Sequence, residues 1–128
     1  MAIVGIGVDR IGIARIESSL ARFGDRFINR VYTPEEIRQA RLKGDLARRL
    51  AMLFAAKEAA SKALATGFKQ GVAPIHIETI HQASGKPEIH LYHGAQAAAK
   101  RLDISTIHVS LTDDDGVAMA FAVAENCL

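Results

Sequence analysis

Two groups of charged residues could together bind a metal ion and a phosphate. Asp9 ends an apolar run over residues 2–8, where a lone carboxylate can either cap the following helix or bind a cation. Glu58 and Lys62 are four residues apart, so a helix would place them one above the other, with Lys57 on their flank. A solvated ion pair is the simpler interpretation of that spacing. If Asp9 met Glu58, however, the two carboxylates and two lysines would form a Mg²⁺-pyrophosphate site.

Other motifs that could suggest chemistry favour ordinary structure. Gly5-Ile6-Gly7 lies inside the apolar run and lacks the third glycine of a dinucleotide-binding turn, so it indicates close backbone packing or a bulge. Asp113-Asp114-Asp115-Gly116 lacks the alternating ligands of a calcium loop and is expected to be an exposed acidic turn. The histidines form no zinc pattern, since His90 and His93 would point to opposite faces of a strand.

Hydrophobic spacing predicts the elements that position these residues. Residues 2–8 form an apolar strand, and Ile13 to Phe23 has the three- and four-residue spacing of an amphipathic helix. Thr33 and Glu36 form a capping box at the start of another helix. A long helix is predicted from Leu46 to about Thr66. The second half contains strand candidates at 75–81, 88–93, 106–111 and 117–124, a turn at 84–87 and a short helix at 94–102.

The composition is that of one globular domain. The chain has 128 residues, 49% of them hydrophobic and 23% charged, which argues against disorder. Helices early and strands late predict a single α+β domain over residues 1–128, not a βαβ unit. The N-terminal run is far shorter than the ~20 residues of a membrane span and has no basic start, so we expect neither a signal nor a membrane partner. A single cysteine, Cys127, suits the reducing cytoplasm.

Positive charge is concentrated in the first half of the chain. Residues 1–62 hold 12 Lys and Arg against 7 Asp and Glu, whereas residues 63–128 hold 4 against 7. This excess and an aromatic content of 5% without Trp do not favour nucleic-acid binding. On one continuous helix four arginines would form a stripe: Arg15, Arg22, Arg26 and Arg30. We expect Gly24 to interrupt that helix. The stripe is either a solvated face or a docking surface for an acidic helical partner.

Three segments resemble one family. They are GIGVD at 5–9 followed by IARI at 13–16, FAAKEAASKA at 54–63, and GKP at 85–87 followed by HVSL at 108–111. The chain resembles the holo-acyl-carrier-protein synthases, the short 4′-phosphopantetheinyl transferases, from Ile3 to Glu125. The resemblance implies an α+β homotrimer with a long central helix and active sites at subunit interfaces. It also implies transfer of the phosphopantetheine arm of coenzyme A to a serine of apo-acyl carrier protein, releasing adenosine 3′,5′-bisphosphate.

The same resemblance assigns residues to roles. Asp9 and Glu58 correspond to Mg²⁺ ligands, and Lys62 and Lys57 to the groups that stabilise the phosphates and the leaving group. Glu58 is also a candidate for the base that deprotonates the carrier serine, together with a metal-associated water. The nucleotide would contact Gly85, Lys86 and Pro87. Arg15 begins the helix that receives the carrier protein, and Arg22 and Arg26 extend that surface. A noncatalytic paralogue that binds the carrier through this basic helix is the alternative.

Three positions depart from the family pattern. Leu53 stands where many members have an arginine that contacts phosphate, and Arg48 and Arg49 are the candidates to replace that contact. Ala65 replaces the first glycine of the usual Gly-Thr-Gly. Asp113 stands where many members have a histidine and some have an acidic residue. These differences bear on coenzyme A affinity and carrier preference.

Overall fold

The computed structural model describes residues 1–42 and 44–126, which form a single α+β domain; Cys127 lies outside this range. In the described ranges, the strands are β1 (Ala2–Gly12), β2 (Ile77–His81), β3 (Pro87–Leu91), β4 (Thr106–Asp114) and β5 (Val117–Asn126). The α-helices there are α1 (Ile13–Phe23), α2 (Asp25–Val31), α3 (Pro34–Ala40), α4 (Leu46–Ala63) and α5 (His93–Arg101), with a 3₁₀ turn at Pro74–His76.

The strands form two antiparallel sheets. One sheet has the order β1-β5-β4, and the other consists of β2 and β3. In the larger sheet Gly7 pairs with Ala122 and Asp9 with Ala120. Ala120 and Ala122 lie on the same face of the sheet as Gly7 and Asp9, the face that packs on α4, and both are buried. The core therefore lies between this sheet and α4.

Helix α4 is the centre of the core and packs through small residues. Asp45 caps its N-terminus by accepting a hydrogen bond from the Arg48 N–H. Ala59 and Ala63 are buried against β1, and a Cβ atom added to Gly5 or Gly7 would overlap their backbone carbonyls. Glycine in these two positions therefore allows the strand and the helix to approach closely.

Several sequence predictions are confirmed, with changes at the boundaries. The capping box of Thr33 and Glu36 is present, and the turn at 84–87 joins two antiparallel strands. The register of β1 shifts between Ile3 and Gly5, which is the expected irregularity. Strand β1 continues to Gly12 instead of ending at residue 8, because its pairing with β5 continues. Asp9 consequently lies within the strand and does not cap α1, whose N-cap is Gly12.

The basic region lies on two helices, α1 and α2. Gly24 has φ of +54°, a conformation that favours glycine, and separates α1 from α2. Arg15 and Arg22 therefore lie on α1, whereas Arg26 and Arg30 lie on α2. The interruption predicted at Gly24 is thus confirmed, and the four arginines do not form one continuous stripe.

The face of the larger sheet that points away from α4 is apolar and open. Ile6 and Val8 of β1 are 60% and 53% exposed, and Met119 and Phe121 of β5 are 41% and 47% exposed. Such a patch on a single chain marks an interaction surface. Among the helices of the described residues, none has the length and apolar character needed to cross a membrane.

Candidate active site

Asp9, Glu58 and Lys62 meet at the contact between β1 and α4. The Lys62 ammonium donates hydrogen bonds to the Val8 carbonyl at 2.9 Å and to Asp9 Oδ1 at 3.2 Å. The Glu58 carboxyl lies within hydrogen-bonding reach of Asp9. The Asp9 side chain is 11% exposed and that of Lys62 is 51% exposed. One edge of this cluster is thus accessible to a ligand. The sequence could not establish whether Asp9 meets Glu58, and in the structure the two carboxyl groups interact.

The surroundings of Glu58 favour its protonated form. Burial raises the pKa of Glu58, and so do the hydrogen bond and the negative charge of Asp9, whereas the charges of Lys62 and Arg15 lower it. Two carboxyl groups this close cannot both ionise easily unless a cation lies between them. A cation placed between them would relieve this repulsion.

The donor set fits Mg²⁺ chemically. Asp9 and Glu58 supply carboxylate oxygens, which Mg²⁺ prefers, and two protein carboxylates with substrate phosphates are a common ligand set for this ion. Lys62 lies beside them. Two of its three ammonium protons are donated to Val8 and Asp9, and among the described residues the third has no acceptor. The same cluster can thus hold a cation and an anionic oxygen next to each other.

Lys57 does not belong to this cluster, which corrects its assignment as a phosphate-binding residue. Its ammonium is fully buried and donates to Glu36 Oε1 at 2.7 Å, to the Ile77 carbonyl at 2.6 Å and to the Pro74 carbonyl at 3.1 Å. These contacts use all three ammonium protons. Because Lys57 precedes Glu58 on the helix, the two side chains point about 100° apart.

The partners of Lys57 form a buried network that the sequence did not reveal. Glu36 accepts hydrogen bonds from the backbone N–H groups of Thr33 and Thr79 as well as from Lys57. Burial raises the pKa of Glu36 and lowers that of Lys57, and their mutual attraction opposes both changes. The capping box was the signal for Glu36, but nothing in the sequence linked it to a lysine 21 positions later.

The turn formed by Gly85, Lys86 and Pro87 connects β2 and β3. Gly85 has φ of +90°, and the Gln82 N–H donates to the Lys86 carbonyl at 2.9 Å, which closes the turn between β2 and β3. Within the described ranges, no hydrogen bond or ion pair joins this turn to Asp9 or Glu58. Among the described residues of a single chain, the predicted nucleotide contacts and the carboxylate pair are thus not directly bonded to each other.

Exposed arginines surround a shallow groove on α1 and α2. The groove has a volume of about 270 Å³ and is lined by Phe23, Phe27, Arg26 and Arg30. The Arg22 guanidinium lies 5.2 Å from the centre of the Phe23 ring. Arg15 is closer to the carboxylates, since its charge acts on Glu58. The surface thus combines positive charge with exposed aromatic rings.

The three departures from the family pattern have different structural settings. Arg48 binds Asp113 through two hydrogen bonds of 2.9 Å, so the two residues neutralise each other. Leu53 is buried. The Nε of Arg49 is buried and has no hydrogen-bond partner among the described residues. Ala65 has φ of +61°, the conformation for which glycine is better suited.

Comparison with known proteins defines the class to which this fold and site belong. Residues 5–122 match the family model of the 4′-phosphopantetheinyl transferase superfamily, and the chain belongs to that superfamily. Within it, the chain is similar to a holo-(acyl-carrier-protein) synthase of Sodalis glossinidius (strain morsitans), with 45% identity over 125 residues, 98% of this chain and 99% of the relative.

Solved structures agree with this similarity. The synthase from Neisseria meningitidis is 36% identical, has a TM-score of 0.89, and the match covers 98% of this chain and 100% of that one. The synthase from Helicobacter pylori, solved in complex with coenzyme A, is 32% identical with a TM-score of 0.83, and the match covers 94% and 99%. The fold expected from the sequence is therefore confirmed.

Proposed function

We propose that this chain is a holo-acyl-carrier-protein synthase, which transfers the 4′-phosphopantetheine group of coenzyme A to a serine of apo-acyl carrier protein. The observation that carries the proposal is the contact of Asp9 and Glu58 beside Lys62, in a chain that belongs to the transferase superfamily. The relatives named above are all synthases, and nothing in them supports the noncatalytic alternative.

Asp9, Glu58 and Lys62 have different roles in the proposed phosphoryl transfer. The serine oxygen forms a bond to the phosphorus that carries the pantetheine arm, and the bond from this phosphorus to the 5′-phosphate of adenosine 3′,5′-bisphosphate breaks. Asp9 and Glu58 would hold Mg²⁺, which when bound would neutralise charge on the pyrophosphate. Lys62 stabilises the negative charge that develops on the departing phosphate.

Glu58 is the base that we propose for the serine proton. A carboxylate at the place where the pyrophosphate would be held can accept the proton of an incoming hydroxyl. A carboxylate has two oxygens, so one can bind a cation while the other accepts a proton. The proton of the serine hydroxyl then leaves on Glu58 as the new phosphoester forms.

Coenzyme A and a second copy of the chain complete the site. Because no hydrogen bond or ion pair among the described residues joins the turn at Gly85, Lys86 and Pro87 to Asp9, we propose that a neighbouring subunit supplies these nucleotide contacts. The exposed apolar face of the β1-β5-β4 sheet supports assembly into a homotrimer, because it leaves Ile6 and Phe121 without cover in the single chain. Sedimentation equilibrium of the wild type and of Phe121→Asp tests this, with monomers expected only for the variant.

The carrier protein is proposed to dock on α1 and α2 in the cytoplasm. Arg15, Arg22 and Arg26 are exposed there, and Phe23 and Phe27 provide apolar contact area. Acidic helical bundles are complementary to such a surface in charge.

Mass spectrometry of a carrier protein tests the activity directly. Apo-acyl carrier protein incubated with the chain, coenzyme A and Mg²⁺ should gain the mass of one phosphopantetheine group. Asp9→Asn should leave the carrier unmodified at limiting Mg²⁺, because it removes a charged ligand but keeps the side-chain shape. No mass gain with wild-type chain at saturating coenzyme A and Mg²⁺ would contradict the proposal.

A further inference from the structure

The packing of α4 on β1 allows close approach but gives little directional control. At this contact the helix presents Ala59 and Ala63, and the strand presents Gly5 and Gly7. Small side chains have few projecting atoms that could interlock, so a core built from them defines the rotation of a helix weakly. Yet Glu58 must leave α4 at one particular angle in order to reach Asp9 on the strand.

Lys57 provides the directional contact that the small residues lack. Its three hydrogen bonds go to three separate elements: Glu36 belongs to α3, Pro74 to the 3₁₀ turn and Ile77 to the start of β2. Hydrogen bonds are directional, and a buried ammonium that loses its partners is strongly unfavourable. Only one rotation of α4 satisfies all three acceptors at once.

Glu36 is itself held in place. Its Oε1 accepts from the Thr33 N–H at 3.0 Å, and its Oε2 accepts from the Thr79 N–H at 2.9 Å. One oxygen is thus fixed by the first turn of α3 and the other by β2. The carboxylate that Lys57 meets is therefore part of the rigid framework and not a mobile surface group.

We propose that Lys57 is a positioning residue for Glu58. By anchoring α4 to α3 and β2, it fixes the helix rotation at which the adjacent Glu58 meets Asp9. The inference rests on the proposed function, in which Glu58 and Asp9 hold the metal ion. It assigns Lys57 no contact with substrate.

Binding of Mn²⁺, followed by electron paramagnetic resonance in the presence of adenosine 3′,5′-bisphosphate, tests this role. In the double variant Glu36→Gln/Lys57→Met, neither buried group is charged, so the chain should still fold. We expect its Mn²⁺ dissociation constant to rise about tenfold or more, as for the loss of other groups that orient metal ligands. The KM for coenzyme A at saturating Mg²⁺ should stay unchanged, because Lys57 does not touch the phosphates.

Two further variants make the test specific. Glu36→Asp keeps the charge but shortens the side chain, and should weaken Mn²⁺ binding to a smaller extent. This variant tests the role of the network even if the double variant does not fold. Leu50→Ala loosens the same helix at a fully buried apolar side chain that takes no part in the hydrogen bonds of Lys57, and should lower the melting temperature without changing Mn²⁺ affinity.

The outcomes separate the inference from the proposed function. Wild-type Mn²⁺ affinity in the folded double variant, or in Glu36→Asp, would overturn the positioning role, as would an equal loss of affinity in Leu50→Ala. A raised KM for coenzyme A with unchanged Mn²⁺ affinity would instead indicate that Lys57 contacts the phosphates of coenzyme A. A wild-type chain that binds no Mn²⁺ would overturn the proposed metal site and the inference with it.

Discussion

Gly7 of β1 lies against the backbone carbonyl of Ala59 in α4 so closely that no side chain fits between them. Asp9 follows Gly7 by two residues on the same strand, and Glu58 precedes Ala59 on the same helix. The close approach of the two backbones is therefore what lets the two carboxyl groups meet. The glycine motif near the N-terminus contributes to the site through packing, not through contact with a ligand.

Gly7→Ala should destabilise the chain strongly. The added methyl group meets main-chain atoms, which cannot turn aside like a flexible side chain, so strand and helix must separate. We expect a loss of about 3 kcal/mol or more in the free energy of unfolding, measured by urea denaturation.

Gly12→Ala is the matched control on the same strand. Gly12 has φ of −68° and open space around it, so alanine fits there. The free energy of unfolding should change by less than about 1 kcal/mol. Equal effects of the two substitutions would show that the Gly7–Ala59 contact is not what limits the packing.

The fold was largely predictable because its signals are local. The capping box at Thr33 and the long apolar spacing of α4 depend on residues close in sequence, and both helices form where expected. The end of β1 was not predictable from the polar Asp9. Pairing with β5, more than a hundred residues away, extends the strand to Gly12.

The site was predictable only in part, for a similar reason. A carboxylate within β1 and another on α4 could be recognised as a possible pair, and the resemblance pointed to the same residues. Lys57 could not be placed, since a lysine in a helix is usually solvated and its buried partner Glu36 lies on another helix. Which way a charged side chain points depends on tertiary packing, which helical spacing alone does not reveal.

Ala65→Gly should stabilise the chain. Ala65 has φ of +61°, where the Cβ atom of an L-residue is unfavourable and glycine is not. Since glycine also loses more entropy on folding, the net gain in the free energy of unfolding should be about 0.5–1 kcal/mol. Urea denaturation measures it, and Ala97→Gly, on the exposed face of α5, is the control that should lose about 1 kcal/mol. A loss in both variants would contradict the assignment of Ala65.

Thr79→Val should also stabilise the chain. The Thr79 hydroxyl is buried and has no hydrogen-bond partner among the described residues, whereas its N–H donates to Glu36 and survives the substitution. Valine has nearly the same shape without the unsatisfied group, so the free energy of unfolding should rise by about 1 kcal/mol in thermal or urea denaturation. Thr33→Val, which removes the cap of α3 and the hydrogen bond to Glu78, should lose about 1–3 kcal/mol. Destabilisation by Thr79→Val would indicate that the hydroxyl has a partner in solution.

The raised pKa of Glu58 predicts a pH dependence with a definite sign. The folded chain holds the Glu58 proton at pH values where the unfolded chain has lost it, because burial and Asp9 favour the neutral carboxyl. Without metal, the contribution of Glu58 to stability should therefore fall as pH rises from about 4.5, the ordinary value, through the higher pKa of the folded state.

Glu58→Gln isolates this effect because glutamine does not titrate. In chelator, the free energy of unfolding of the wild type minus that of the variant should decrease with pH over this interval and then level off. Mg²⁺ should restore wild-type stability at high pH and bind less tightly as pH falls, since it competes with the proton. Parallel pH curves for the two chains would contradict the raised pKa.

Charge reversal on α1 and α2 tests carrier docking. Arg22→Glu and Arg26→Glu each replace attraction by repulsion toward an acidic partner, so the KM for carrier protein should rise about fivefold, equivalent to about 1 kcal/mol. The difference should shrink in 1 M salt, where the Debye length is ~3 Å, while the KM for coenzyme A stays nearly constant. Arg101→Glu, at the end of α5, is an exposed control with the same change in net charge. If it raised the carrier KM as much as the other two, overall charge rather than the α1–α2 surface would determine docking.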